Sequence, residues 1–226
     1  KIKSEMASQR EIFVKGAVKL GVEKNKAEYV FDLVDKFAGY GFNKAHSAGY
    51  GLISYQTAWL KANYPVEFFA ASMCLDINNT DKLNIFIKDS KSLGIKILPP
   101  DINFSESEFI VENIGENKYG IRYGLSAIKN VGKHAMDGLV SERNTNGIFK
   151  SVADFSGRIN PGEINKRQIE SLAKSGSFDS LDNNRASIFF STERILKFSS
   201  KIYEDKLTKQ SNLFGNQVDD NEINIE

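Results

Sequence analysis

Apolar residues in the first hundred positions recur with a helical period, and Pro99-Pro100 ends that pattern. Proline lacks an N–H and pushes its predecessor toward extended conformations, so no helix passes through the pair. The chain is thereby divided into a helical first part and a second part that must restart its hydrogen bonding. Before the prolines, Ala27, Val30, Phe31, Val34, Phe37 and Ala38 form an amphipathic stripe. Asn25 ahead of Glu28 resembles a capping box, and Gly39-Tyr40-Gly41 ends the helix. A second helix is expected after His46, with Ala48, Leu52, Tyr55, Trp59 and Ala62 on one face. Pro65 suits the first turn of a third. Thr80 is expected to cap a fourth, with Leu83, Phe86, Ile87 and Leu93 inward and Gly94 at its end.

Beyond the prolines, 108–112 and 118–122 are short β-prone runs around Gly115-Glu116-Asn117, which predicts a hairpin. Helical spacing returns at Leu125 and continues in short pieces to about Lys197, with two helix-turn-helix units near 125–143 and 151–175. From Lys201 apolar residues thin out, and Asp219, Asp220, Glu222 and Glu226 make the end acidic, which predicts a linker or flexible tail. The expected fold is mainly α, with a helical first region (1–104), a small hairpin plus tandem helical units (105–198) and a tail (199–226).

Composition excludes several function classes. Cys74 is the only cysteine among 226 residues, so the sequence holds no intrachain disulfide and no cysteine-rich metal site. A reducing, cytoplasmic setting is expected. No apolar run approaches the length that crosses a bilayer, so no membrane partner is expected. The first residue is Lys1, within what reads as a helix, so the chain is expected to be an excised segment. The formal net charge is only +1, so any basic patch must be local.

Such a patch coincides with the second region. Between Arg122 and Lys174 lie nine basic residues (122, 129, 133, 143, 150, 158, 166, 167, 174) against five acidic ones (137, 142, 154, 163, 170). Within it, Leu125 to Ala135 read as two helices meeting at a tight turn, for which Gly132 is expected to supply the backbone freedom. Amides after Gly132 open a helix, so they and the positive end of its dipole face an anion, naturally a DNA phosphate. Lys129, Asn130, Val131, Gly132, Lys133 and His134 form this candidate site, and Lys166 and Arg167 occupy the matching place in the second unit. Spacing alone equally fits a helical hairpin with a solvated basic face.

A second candidate is the turn Phe37 to Ser47. Two glycines, Lys44 and His46 there could hold a triphosphate at a helix start, although glycines before helices are common and a lone histidine is more often structural. Asp32 and Asp35 stand one helical turn apart, a spacing that suits a solvated face better than a metal pair.

At this point the residues resemble a family. The run FAGYGFNKAHSAGYGLISYQTAWL from Phe37 to Leu60 is similar to the fingers of the alpha subunit of bacterial DNA polymerase III, a replicative C-family polymerase. The resemblance continues through Lys61 to Phe68, Asn79 to Lys82, Ile97 to Asn103, Ala127 to Gly132, and Asn165 to Asp179, in family order over roughly residues 4 to 190. It implies that residues 1–104 are the end of the fingers and 105–198 a tandem helix-hairpin-helix domain gripping duplex primer-template DNA. It further implies that Tyr40, Lys44 and His46 line or approach the site of the incoming deoxynucleoside triphosphate. Ala45 stands where Ser is usual, which puts any hydroxyl contact there in doubt. The family's chemistry is two-metal phosphoryl transfer, with Mg2+ held by palm aspartates that precede this region. No catalytic or metal residue is assigned here, and the segment alone is expected to be inactive.

The tail carries Gln210-Ser211-Asn212-Leu213-Phe214. Two adjacent apolar residues in a polar stretch suit an external pocket, and Gln210 can fix register through its amide. This is similar to the family's sliding-clamp (beta subunit) motif, which follows the helix-hairpin-helix region. Ser211 and Asn212 depart from the usual residues, while the anchors Gln210, Leu213 and Phe214 remain. Other subunits of the polymerase III holoenzyme are implied partners. Two alternatives stand beside this reading: an error-prone alpha-subunit paralogue acting in mutagenic repair, and a free-standing helix-hairpin-helix DNA-binding protein. The intact Leu213-Phe214 pair favours the replicative form.

Overall fold

The structure is a computed structural model describing the backbone of residues 3–40 and 44–208. It forms two compact units, Lys1–Leu60 and Lys61–Glu226.

In the first unit, α1 (Lys3–Lys19) and α2 (Lys24–Tyr40) pack as a helical hairpin, and α3 (Lys44–Asn63) begins after it. Gly21, at φ +85°, makes the left-handed turn that ends α1. The α2 helix forms, but of its expected stripe only Ala27 and Phe31 are buried, while Val30, Val34 and Phe37 are exposed and the side chain of Ala38 lies outside the described residues; the start of the helix also differs from the expectation. The Ala27 N–H donates to Glu23 O, so the helix begins two residues earlier and Asn25 lies inside it. Val14, Ala27 and Phe31 are buried, with Phe13 and Phe31 5.5 Å apart between ring centroids. Arg10 closes the pair by donating to Asp32 Oδ1 from Nε at 3.3 Å and Nη2 at 3.1 Å. On α3, Leu52, Tyr55 and Trp59 are exposed.

The second unit has two cores. The first joins α4 (Pro65–Leu75) and α5 (Thr80–Ser92) to a three-stranded sheet of β1 (Lys96–Leu98), β2 (Ile110–Gly115) and β3 (Lys118–Arg122). Pro65 stands in the first turn of α4 as expected, whereas Asn79, not Thr80, caps α5 by accepting from the Lys82 N–H at 3.1 Å. Phe69, Met73, Leu83, Ile95, Phe109 and Ile121 fill this core, while Leu93, expected inward, is exposed at the helix end. The hairpin β2–β3 forms as expected, with Asn117 at φ +52° in its turn and a register shift between Asn113 and Gly115.

Strand β1 was not expected, and it pairs parallel to β3 with Ile97 opposite Ile121. The sheet therefore extends across Pro99-Pro100. The segment after the prolines is also deeply inserted. Ile102 is fully buried, the Asn103 side chain donates to Phe149 O and accepts from the Phe149 N–H, and Ser105 Oγ donates to Tyr123 O. The compact units accordingly divide at 60/61, and no physical gap lies at 104/105.

The second core belongs to η1, a single 3-10 turn (Leu125–Ala127), with α6 (Lys133–Asn146), α7 (Val152–Arg158), α8 (Lys166–Ser175), α9 (Arg185–Phe190) and α10 (Thr192–Thr208). Phe149, Phe155 and Phe178 make consecutive edge-to-face contacts at its centre, at 5.4 and 5.0 Å. Helix α10 corrects the expected tail. It continues to Thr208 because Ser199 Oγ donates to Ile159 O at 3.0 Å and Lys206 Nζ to Gly157 O at 3.0 Å, holding a polar helix against α7. Among the described residues no helix is long and apolar enough to cross a membrane.

Candidate nucleic-acid interface

The first helical unit differs in detail from its sequence reading. The element before the turn is η1 rather than a full helix. Asn130 carries the left-handed backbone, at φ +68°, whereas Gly132 is extended at φ −82° and ψ 142°. Asparagine tolerates this region because its short polar side chain can bond locally. The turn thus needs no glycine at 132 for its conformation. Nor is the position crowded from within, since a Cβ there would meet only Gln168 Nε2, at 3.5 Å. Gly132 is the N-cap of α6 and supplies no side-chain hydrogen bond, so the amides of the first turn depend on other partners.

That 3.5 Å neighbour defines the geometry. Gln168 is the third residue of α8, where it completes a capping box: Asn165 Oδ1 accepts from the Gln168 N–H, and Gln168 Oε1 accepts from the Asn165 N–H at 2.8 Å. The starts of α6 and α8 therefore lie side by side, one from each helical unit. Lys129, Asn130, Gly132, Lys133, His134, Lys166 and Arg167 are all exposed around them, and Val131 is buried as the apolar anchor of the turn. All eight expected DNA-site residues are thus described, seven at the surface.

The basic excess is less available than the sequence suggests. Arg143 is buried, with Nη1 donating to Ile102 O at 3.0 Å and Ser105 O at 2.6 Å and Nη2 to Glu106 Oε1 at 2.7 Å. Arg122 makes a two-pronged pair with Glu112 and donates to Pro99 O at 2.9 Å. Arg158 lies over the Phe149 ring and bonds Glu142 and Asp154. These three arginines hold the fold together. Lys133 Nζ donates to Glu108, and Lys166 Nζ donates to Glu193 Oε1 at 2.6 Å. Those hydrogen bonds raise the pKa of each lysine, and the one from Lys166 lowers that of Glu193. A recess of about 550 Å³ beside Lys133 includes Glu106, Glu108 and Asp137 in its lining, a poor place for a phosphate. Sequence reasoning missed Gln168, Glu108 and Glu193; of these only Gln168 had a local signal, its position three residues after Asn165.

Of the expected triphosphate residues, only His46 has a described side chain. It is exposed on α3, its ring 4.3 Å from that of Tyr50. The side chains of Tyr40 and Lys44 lie outside the described residues, as do Gln210, Leu213 and Phe214. Asp32 is engaged by Arg10, and among the described residues no group of three or more His, Cys, Asp or Glu could hold a metal ion.

The family model for the helix-hairpin-helix motif matches residues 94–188, from the turn before β1 into α9. It therefore takes in the sheet as well as both helical units. DNA polymerase III subunit alpha of Caulobacter vibrioides is 50% identical over 215 residues, covering 95% of this chain. Over nearly its whole length the chain is related to the DNA polymerase III alpha subunit. The corresponding protein of Pasteurella multocida is 47% identical over 93% of the chain, and that of Borreliella burgdorferi 45% over 95%. The chain spans 18% of the length of each of these alpha subunits.

Proposed function

We propose that this chain is the duplex-holding part of a DNA-directed DNA polymerase, binding the DNA backbone where α6 and α8 begin side by side. The approach of Gly132 to Gln168 carries the reading, because it turns two separate helix starts into one surface. Lys129, Lys133, His134, Lys166 and Arg167 supply cations or donors, and Gly132 leaves room for a close phosphate. Such contacts position the duplex without reading bases. Similarity to alpha subunits extends the reading. Residues up to about 104 act with the fingers, Tyr40, Lys44 and His46 serve the incoming nucleotide's phosphates, and Gln210, Leu213 and Phe214 dock on the sliding clamp. Tethering raises the local concentration of enzyme at the primer end and so processivity. Mg2+ chemistry is supplied outside these residues.

The test is duplex binding by fluorescence anisotropy, with two unrelated sequences, for the wild type and Lys129→Ala/Arg167→Ala. Equal loss of affinity on both sequences is expected; a loss confined to one sequence contradicts backbone binding. Surface plasmon resonance on the clamp, with Leu213→Ala/Phe214→Ala, tests the tether separately. Lost clamp binding is expected, and absence of clamp binding in the wild type favours the error-prone paralogue.

A further inference from the structure

Lys133 is the first residue of α6 and Lys166 the first residue of α8. A cation there faces the positive end of the helix dipole and is disfavoured. The usual remedy is an acidic residue in the same first turn, and neither helix has one. Further along each helix an acid acts on the lysine more weakly, Asp137 on Lys133 and Glu170 at 3.9 Å from Lys166, but the direct hydrogen bonds come from elsewhere in the chain. Glu108, just before β2, accepts from Lys133, and Glu193, the second residue of α10, accepts from Lys166 at 2.6 Å. Both pairs are at the surface, with side-chain exposures of 56% and 44% for Lys133 and Glu108, and 52% and 66% for Lys166 and Glu193.

A carboxylate within the first turn would repel a phosphate for as long as the helix exists. A carboxylate on a long, exposed side chain from another element can rotate away. We propose that Glu108 and Glu193 are internal stand-ins for DNA phosphates, occupying Lys133 and Lys166 in the free chain and yielding them to the duplex. This rests on the backbone-binding reading above. Their consequence is a deliberately weakened grip: each phosphate contact at these lysines is made in exchange for an existing ion pair. A duplex that must advance after each nucleotide addition is released more readily from such a surface.

The test is a double-mutant cycle on duplex affinity, measured by anisotropy with a fluorescein-labelled duplex and the whole 226-residue chain. Glu108→Gln and Glu193→Gln are each compared with the wild type, then repeated in Lys133→Ala and Lys166→Ala backgrounds respectively. Exposed pairs are weak, so each glutamine variant is expected to bind about two- to fivefold more tightly. That gain should vanish when the paired lysine is absent. A gain that survives in the alanine background reports only a changed surface field and overturns the proposal, as does no gain at all. A wild type that fails to bind duplex at low salt overturns the DNA reading itself, a result visible before any variant is compared.

Discussion

Replacing Arg143 by alanine should unfold the second unit far more readily than an ordinary surface substitution. Arg143 is 6% exposed, and it donates to two backbone carbonyls, Ile102 O and Ser105 O, as well as to Glu106. It thereby holds the last turn of α6 to the segment after Pro99-Pro100. Removing the guanidinium leaves both carbonyls without this donor, at about 1–3 kcal/mol each. Glu106 is 39% exposed and can turn to water, so its lost pair adds little. The total is about 2–6 kcal/mol, the summed cost of the two orphaned carbonyls. Urea denaturation followed by circular dichroism measures it. With a slope of about 2 kcal/mol/M, the midpoint should fall by about 1–3 M. Arg143→Lys keeps the charge but loses the fork, and should cost about half as much. A midpoint shift below about 0.5 M for the alanine variant, at unchanged slope, would refute the view that Arg143 ties the post-proline segment to the helical units.

Three further outcomes follow from the same geometry. Gly132→Ala should lower stability only by about 0.5–1 kcal/mol, the cost of alanine at an N-cap, since its φ suits any residue and the new Cβ makes only ordinary contact with Gln168, yet it should weaken duplex binding at least severalfold; a loss of binding no larger than the loss of stability places the glycine's role in the fold instead. Asn130→Val should destabilise by about 1–2 kcal/mol, the cost of a left-handed β-branched residue, as read by urea midpoint, whereas Asn130→Gly should be nearly neutral. Cys74, whose thiol pKa burial pushes up and whose Sγ donates to Phe109 O, should be alkylated by iodoacetamide at pH 8 markedly more slowly in the folded chain than in urea; equal rates contradict its packing.

Much of this architecture is legible in the sequence because its signals are local. Pro65 announces α4, and Lys166 and Arg167, placed at the matching point of the second unit, begin α8. What escaped is held by contacts distant in sequence. Strand β1 is three residues long, too short to show alternation, and exists because β3 offers it an edge more than twenty residues later. The proline pair signals a break in helix, which is correct; that the next five residues are an anchor depends on Phe149 and Arg143, invisible locally. The polar stretch after Lys201 has few apolar residues, yet it is helical to Thr208 because α7 receives Ser199 and Lys206. At the candidate site, glycine was the natural choice for the left-handed turn residue, but Asn130 takes that role and frees Gly132 for close approach. The ion pairs on Lys133 and Lys166 have no local signature at all.

Whether α6 and α8 together hold a DNA backbone is decided by the salt dependence of duplex binding. The logarithm of affinity should fall linearly with the logarithm of salt concentration, and removal of each phosphate contact should lessen the slope by about 0.9. With Lys129→Ala/Arg167→Ala, which removes one exposed cation beside each helix start, the account predicts a slope shallower by about 2 on duplexes of any sequence. An unchanged slope in that variant would contradict it.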